Sequence, residues 1–360
     1  MKVCIIGDGL VSLTLANVLI QKDLSVDILF NSENRKYNKT RTLGISKSNI
    51  DYFNKEVINI NKFLWEIKYI KVFTENLSNE EILNFTNDNK KIFSIIKNYK
   101  LDEILRKSLN KKKFIKFKKN KNIKDIIKEK YNLIINCDPN HKITKSFLAS
   151  SFKKNYNSYA YTTIIKHKKI SSNNTAFQNF TKNGPIAFLP ISNTETSVIY
   201  SLRTAEDKNK IDIKRLIKQF NPKYSITKIN DCVRFELKSS IPRKYFKDNV
   251  LAFGDLLHKI HPLAGQGFNM SVRDIKLLSK LIDDRINIGL DLDSSLYQEF
   301  QKKIQDKNYI FATGIDWIYE LFNFENKINT SIISKAVTQV GKSKSINSFF
   351  KKFADSGLNI

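Results

Sequence analysis

One segment of the chain, Ala252–Asn269, carries the residues best suited to chemistry. It reads AFGDLLHKIHPLAGQGFN and is predicted to run from an apolar strand into the start of a helix. The carboxylate of Asp255, at the strand end, can accept hydrogen bonds from ligand hydroxyls. Gly265 and Gly267 precede a helix whose first N–H groups and positive dipole end favour negative charge. The segment is the predicted active-site segment, for a ligand with both hydroxyls and developing negative charge.

Two histidines in this segment, His258 and His261, are candidates for acid–base chemistry. Each also fits a structural role, in which its side chain orders the turn and only the backbone meets the ligand. Both interpretations stay open, and no catalytic residue is assigned.

The N-terminus is typical of a dinucleotide-binding βαβ unit. A buried strand is predicted for Lys2–Ile6, followed by the turn Gly7–Ser12, an apolar helix to about Ile20 and a second strand at Ser25–Phe30. Gly7 permits a tight turn, and Gly9 lets a pyrophosphate reach the helix start. Ser12 stands where the third glycine of the pattern is usual. Flavin adenine dinucleotide (FAD) fits both this unit and the segment at Asp255.

The adenosine end of such a site usually has a carboxylate about 20 residues after the glycines, where it binds the ribose. Phe30 occupies that position. Asn31 and Glu33 could substitute, although neither is in the expected register. A weaker adenosine end is therefore predicted.

The composition of the 360 residues, 41% of them hydrophobic, indicates a globular cytoplasmic protein without a transmembrane helix. The three cysteines match no zinc spacing and are predicted to be reduced packing residues. The formal net charge is +27, with lysine scattered along the whole chain. Solvated faces or an anionic membrane surface explain this charge, and no nucleic-acid partner is expected because no recognised nucleic-acid motif is present. The densest lysine cluster, Lys111–Lys121, alternates like a surface strand.

The pattern along the chain predicts four segments. Strands are expected at Ala160–Ile165, Thr175–Phe180, Ile186–Ile191 and Ser197–Leu202, as a sheet inserted between two halves of a nucleotide-binding domain. Beyond about Ser294 the chain is predicted to be helical, with an aromatic stretch expected in the core or, alternatively, on a lipid- or substrate-facing surface. The segments are 1–150 and 243–295 for the FAD-binding domain, 151–242 for the β-sheet substrate domain and 296–360 for the C-terminal helices.

Four stretches carry a resemblance to a known family. The Gly254–Asn269 motif resembles the second flavin-binding motif of the class A FAD-dependent aromatic hydroxylases, in particular the ubiquinone-biosynthesis group. Arg41–Ser46, Ala176–Pro190 and Asp316–Phe322 resemble the same group. The fold that this resemblance implies is α/β, with a Rossmann-like FAD-binding domain, an inserted β-sheet substrate domain of the para-hydroxybenzoate-hydroxylase type and C-terminal helices.

The resemblance also implies a chemistry. FAD would be reduced by NAD(P)H or another donor, and O2 would then form a flavin C4a-hydroperoxide that hydroxylates the ring of a prenylated phenol in ubiquinone biosynthesis. A membrane surface or a quinone-biosynthesis complex would be a further partner. The residues implied to contact FAD are Gly7, Gly9, Leu10, Val11, Ser12, Arg41, Asn98, Gly254, Asp255, Pro262, Gly265, Gln266, Gly267, Phe268 and Asn269.

One departure from the family pattern bears on the electron donor. The middle motif of the family, Ala-Asp-Gly, reads Cys137-Asp138-Pro139 here, and proline removes an N–H and excludes positive φ. Together with Phe30, this motivates an alternative function: a flavin-fold protein that has lost turnover and serves as a binding or assembly subunit of a quinone-synthesis complex. An FAD-dependent reductase that shares the fold is a third alternative.

Overall fold

The computed structural model describes residues 1–31, 38–86, 91–148, 150–203 and 212–357. Across these ranges the chain forms three sheets and ten α-helices. The strands are β1 (Lys2–Ile6), β2 (Ser25–Phe30), β3 (Thr42–Ser46), β4 (Trp65–Ile67), β5 (Tyr69–Thr74), β6 (Glu80–Thr86), β7 (Phe93–Lys97), β8 (Ile115–Lys119), β9 (Leu133–Asn136), β10 (Ser151–His167), β11 (Thr175–Thr181), β12 (Gly184–Pro190), β13 (Glu195–Arg203), β14 (Ile226–Ile229), β15 (Val233–Pro242), β16 (Phe246–Lys247) and β17 (Val250–Ala252).

The helices connect these strands and then form the C-terminal part of the chain. They are α1 (Leu10–Ile20), α2 (Lys47–Glu56), α3 (Asn98–Leu109), α4 (Ile123–Lys128), α5 (Thr144–Leu148), α6 (Ile213–Gln219), α7 (Gln266–Asn287), α8 (Ser294–Lys327), α9 (Ile332–Gly341) and α10 (Lys344–Ser356). Short 3₁₀ turns at Gly254–Leu256 and Leu263–Gly265 lie between β17 and α7.

The first sheet is the predicted Rossmann-like sheet. Its order is β16-β17-β9-β1-β2-β8, and all its pairs are parallel except β16 with β17. Helices cover a parallel sheet on both faces, which is why β1 is an unbroken apolar run with Val3–Ile6 fully buried. The carboxyl ends of β1, β9 and β17 lie at one edge of this sheet. The turn after Ile6, Asp138 and Gly254 therefore come to the same place.

The second sheet has eight strands in the order β14-β10-β13-β12-β11-β5-β6, with β15 also paired to β10. The four strands predicted between residues 160 and 202 are its neighbouring strands β10 to β13, so the expected sheet is confirmed. However, two strands from segment 1–150 also belong to this sheet: β5 pairs with β11, and β6 pairs with β5. The division of the chain into four segments remains a prediction, and segment 1–150 contributes to both large sheets.

A third sheet, in the order β3-β7-β4, connects the two large ones. Lys97 Nζ lies 2.8 Å from Glu195 Oε2, and Thr42 Oγ1 donates to Ser197 Oγ at 2.8 Å. These contacts hold β3 and β7 against β13 of the second sheet. The small sheet therefore fixes the position of the second sheet relative to the first.

The lysine-rich segment forms β8 at the edge of the first sheet, as its alternation predicted. Lys118 Nζ lies 2.8 Å from Asp27 Oδ2 and 3.1 Å from Glu129 Oε2. Phe117 packs against the main core and Phe114 is exposed. Lys118 is therefore paired with acidic side chains at the edge of the sheet.

The aromatic stretch of α8 divides between two environments, so the expectation of a core group is correct for one face only. Phe311, Tyr319 and Phe322 are buried, whereas Trp317 and Phe324 are exposed to 67% and 56%. A 34-residue helix that packs along one stripe leaves its opposite side in solvent. In the described ranges, no helix is long and apolar enough to cross a membrane.

Replacement of Phe322 by alanine should destabilise the protein much more than replacement of Phe324. The Phe322 ring is buried and stacks on Phe180 of β11 with centroids 3.8 Å apart, so its loss removes one of the aromatic contacts between α8 and the second sheet. Truncation of a buried phenylalanine costs about 3–5 kcal/mol, and an exposed change costs about 0.5 kcal/mol or less. Urea unfolding of both variants measures the difference, and equal losses would contradict this account of the α8 interface.

Candidate functional site

The turn after β1 has the geometry of a ligand-binding turn. Gly7 has φ +95°, and a Cβ added there would lie 3.1 Å from both the backbone nitrogen and the Cβ of Asp138. Only glycine fits this position. Gly9 is the N-cap of α1 and supplies no side-chain cap, and a Cβ added to it would meet no described protein atom within 4 Å. The start of α1 therefore has no side-chain cap, and the space beside Gly9 is open.

The second glycine segment is in direct contact with the first. Gly254 has φ +67°, and a Cβ added there would lie 3.1 Å from Val11 Cγ1. Ser12 is fully buried beside Cys137. Burial raises the pKa of the Cys137 thiol to about 12, and the nearby carboxylate of Asp255 adds to this effect. The fold therefore brings Val11 and Ser12 close to Gly254 and Asp255, although more than 240 positions separate the two pairs in the chain.

The start of α7 lies next to Gly44 of β3. Its N-cap, Gly265, has φ +61° and supplies no side-chain cap, and a Cβ added to Gly267 would meet no described protein atom within 4 Å. Gln266 is 8% exposed, and its Oε1 has no partner in the described ranges. A second uncapped helix start with adjacent space suits a ligand that carries negative charge.

Two of the residues implied at this helix start turn their side chains into the protein. Asn269 Nδ2 donates to the Gly44 carbonyl at 2.9 Å, and Asn269 Oδ1 accepts from Ser46 N at 3.0 Å and from Asn49 Nδ2 at 2.9 Å. Phe268 is 9% exposed and packs on Phe53. These side chains fix α7 to β3 and α2. Asn269 and Phe268 would therefore contact a ligand through their backbone groups.

Arg41 and Asn98 are neighbours at the start of β3. The backbone N–H of Asn98 donates to the carbonyl of Arg41 at 3.0 Å. The exposed guanidinium of Arg41 lies 5.6 Å from the centre of the Phe235 ring in β15. The two residues are thus at the junction of the small sheet with the second sheet, and Arg41 is accessible to an anionic group.

Arg106, which no sequence pattern singled out, supports the first glycine turn. Arg106 Nη2 donates to the Asp8 carbonyl at 2.6 Å, and Arg106 Nε donates to Asp102 Oδ1 at 2.8 Å. Although burial opposes the charged form, Asp102 and Asp8 raise the pKa of Arg106 above its usual value. The spacing of Asp102 and Arg106 indicates an ion pair on helix α3. Nothing in the sequence indicates which turn that helix face meets.

The adenosine end has no carboxylate at the expected position. Phe30 ends β2, and the side chain of the next residue is already bonded: Asn31 Nδ2 donates to Asp138 Oδ2 at 2.6 Å and Asn31 Oδ1 accepts from Asn120 Nδ2 at 2.6 Å. Glu33 lies outside the described residues. Asp138 Oδ1 also accepts the N–H of Asn140, which closes the turn around Pro139. Asp138 and Asn31 therefore form a polar cluster at the sheet edge.

The contacts of His258 fit a structural role, in which its side chain orders the turn. Its Nε2 lies 2.5 Å from Asp274 Oδ2, and neither side chain is exposed. Asp274 Oδ1 accepts from Asn308 Nδ2 at 3.1 Å. One buried cluster therefore joins the turn after Gly254 to both α7 and α8.

His261 lies in a buried aromatic layer. Its ring stacks on Tyr319 of α8 with centroids 4.2 Å apart and meets the edge of Tyr156 of β10 at 5.0 Å. Its Nδ1 accepts the N–H of Leu263 at 3.2 Å, and its Nε2 has no partner in the described ranges. Burial, with a smaller effect of Lys154, lowers the pKa of His261 from 6.5 to about 3. The imidazole is therefore neutral at neutral pH and is a hydrogen-bonding group rather than a cation.

Part of the chain matches a known family model. Residues 132–287, from β9 through α7, match the family model described as "FAD binding domain". The resemblance to FAD-dependent hydroxylases is confirmed. The matched FAD-binding region contains both Asp138 and the Gly254–Asn269 segment.

Three curated relatives illustrate the similarity. The ubiquinone biosynthesis monooxygenase COQ6 of Danio rerio is 25% identical over 53% of this chain and 48% of its own length, and that of Schizosaccharomyces pombe is 22% identical over 63% and 57%. The 3-demethoxyubiquinol 3-hydroxylase of Escherichia coli is 26% identical over 41% and 40%. The chain thus spans about half the length of the curated relatives that it matches.

Solved structures share the whole fold. Klebsiella pneumoniae HpxO, complexed with FAD and uric acid, superposes with a TM-score of 0.74 at 13% identity over 99% of this chain and 97% of its own. The p-nitrophenol 4-monooxygenase PnpA of Pseudomonas putida gives a TM-score of 0.76 at 12% identity over 99% and 98%. At such identities the likeness concerns the fold, and it confirms the predicted arrangement of FAD-binding domain, inserted sheet and C-terminal helices.

The neutral state of His261 predicts a loss of stability in acid. The pKa of His261 is about 3 in the folded protein and near its usual value of 6.5 in the unfolded chain, so the unfolded chain binds one more proton between these values. This group alone should lower the free energy of unfolding by about 1.4 kcal/mol for each pH unit from pH 6.5 down towards pH 3. Urea unfolding at several pH values should show a shallower dependence for His261→Gln. If the free energy of unfolding depends on pH equally in the wild type and in His261→Gln, His261 is not a buried neutral histidine.

Proposed function

We propose that this protein binds FAD and hydroxylates the aromatic ring of a prenylated phenol in ubiquinone biosynthesis. The observation that carries the proposal is the junction of the Gly254 turn with Val11 of α1, in a fold where α1 and α7 both begin at glycine N-caps without side-chain caps. Such a junction suits a ligand with a pyrophosphate at one end and an anionic ring at the other. The names of the curated relatives support the reaction class and the pathway.

Each end of the site has a distinct task. The first N–H groups of α1 would bind the pyrophosphate, which the missing side chain of Gly9 lets approach. Asp255, exposed at the sheet edge, would accept hydrogen bonds from the ribityl hydroxyls. The start of α7 would stabilise negative charge on the reduced ring, and Pro262 would lie against that ring.

Bound FAD supplies the oxygen chemistry: one atom of O2 goes to the ring and the other to water, with two electrons from a donor. The chain orients the phenol and excludes water from the ring. The donor is NAD(P)H or another reductant, since Pro139 replaces a glycine in the motif that the family associates with the nicotinamide donor. We propose that the protein binds peripherally to an anionic membrane surface or belongs to a quinone-biosynthesis complex. The net charge of +27 supports binding to the membrane.

Reconstitution tests the cofactor first. The purified protein with added FAD should show a bound-flavin spectrum, and Asp255→Ala should weaken FAD binding by about tenfold to a hundredfold, the equivalent of losing a hydrogen bond to a charged acceptor. Asp284→Ala, at an exposed position of α7, is the matched control and should bind FAD normally.

Turnover is tested on the flavin-loaded protein. With the flavin reduced and isotopically labelled O2 admitted, one labelled oxygen atom should appear in the ring of a prenylated phenol. A protein that binds FAD but returns all of the O2 as hydrogen peroxide, with every prenylated phenol supplied, would refute the hydroxylase. That result would favour the alternative of an assembly subunit without turnover.

A further inference from the structure

A surface cleft of about 460 Å³ lies between α8 and the second sheet. Its walls are mostly apolar, and its size is within the range of small-molecule sites. It is separate from the glycine turns and is not among the contacts implied for FAD. The residues that line it are Phe152, Lys153, Lys154, Ser239, Ile241, Tyr309, Thr313, Asp316, Trp317, Glu320, Leu321 and Phe324.

The α8 wall is a stripe of exposed apolar side chains. Tyr309, Trp317, Leu321 and Phe324 are 44%, 67%, 45% and 56% exposed. They recur at helical spacing over fifteen positions, which corresponds to about 22 Å of helix. A continuous apolar stripe of this kind on an exposed face marks a binding surface more often than single exposed residues do.

The opposite wall comes from β10 and β15. Phe152 is 49% exposed, its ring centre is 5.8 Å from that of Tyr309, and the Arg243 guanidinium lies 4.6 Å from its centre. At the rim, Lys154 Nζ is 2.8 Å from Glu320 Oε1. The two lysines of the lining are balanced by the two carboxylates Asp316 and Glu320. The charges of the lining residues therefore cancel, Arg243 beside Phe152 adds one positive charge, and the mostly apolar walls favour a neutral apolar occupant.

The inner end of the cleft reaches the layer that covers the flavin-ring end of the site. Asp316 lines the cleft and accepts a hydrogen bond from the Tyr156 hydroxyl. Tyr156 in turn meets the edge of His261, and Tyr319, three positions after Asp316, stacks on that imidazole. His261 directly precedes Pro262. One layer of aromatic side chains thus separates the cleft from the turn that we assign to the isoalloxazine ring.

We infer that this cleft binds the isoprenoid chain of the substrate, which would pass the edge of the layer formed by Tyr156, His261 and Tyr319 to reach the aromatic ring. The inference rests on the proposed function, because it places the tail of that same substrate. A prenylated phenol carries a long neutral hydrocarbon, which needs an apolar surface outside the ring pocket. The cleft between α8 and β10 has the chemistry, the charge balance and the position for it.

Binding can be measured without turnover, with farnesol as the probe. Trp317 lies in the cleft and Trp65, the other tryptophan, is in β4, so farnesol should shift the tryptophan emission of the flavin-loaded protein to shorter wavelength in a saturable manner. Trp317→Phe should remove this shift. Leu321→Gln should weaken farnesol binding about tenfold. Leu290→Gln, at a similarly exposed leucine outside the cleft, should leave it unchanged.

The reaction gives the second measurement. Leu321→Gln should raise the ratio of KM for a prenylated phenol to KM for the same phenol without a chain by about tenfold, and Leu290→Gln should leave that ratio unchanged. If farnesol neither shifts the emission nor binds while prenylated phenols are hydroxylated normally, the cleft inference is wrong. If farnesol binds as described but no phenol is hydroxylated, the proposed function is wrong and the cleft remains an isoprenoid site. An emission shift with vesicles of phosphatidylcholine and phosphatidylserine, without one for farnesol, would also overturn the inference in favour of a lipid surface.

Discussion

The approach of Gly254 to Val11 sets the distance between the two halves of the candidate site. The chain passes through the whole second sheet between these residues, yet a single methyl group added at Gly254 would press on the Val11 side chain. Because Gly254 follows β17 and Val11 lies in the first turn of α1, their contact aligns the edge of the parallel sheet with both glycine turns. The other contacts of the site depend on this alignment.

The electrostatic character of the site follows from the same glycines. A glycine N-cap has no side chain to satisfy the first N–H groups of its helix, so those groups in α1 and α7 need another partner. Asn269 and Arg106 then hold the two helix starts in place through β3 and Asp8, and His258 holds the intervening turn through Asp274. The polar side chains thus mainly support backbone groups that would meet the ligand.

Much of this architecture could be predicted from the sequence, because strand and turn patterns are local. The βαβ unit, the strands from Ala160 to Leu202 and the helix after Gly265 all follow from periodicity and glycine position. Contacts between distant elements could not be predicted in this way. The bond of Arg106 to Asp8, the aromatic layer around His261 and the entry of β5 and β6 into the second sheet each depend on tertiary packing. The division of α8 into a buried and an exposed aromatic face depends on it too.

The central claim is that the space in front of the two glycine helix starts belongs to FAD. The most direct test is the FAD dissociation constant of Gly267→Ala compared with that of Gly314→Ala. In both positions an added Cβ meets no described protein atom within 4 Å, and both lie in helices, so alanine should leave the apo-protein as stable as before or slightly more stable. We predict that Gly267→Ala raises the dissociation constant about tenfold or more, because its methyl group enters the ligand space, and that Gly314→Ala does not. Unchanged FAD affinity in Gly267→Ala would contradict the account.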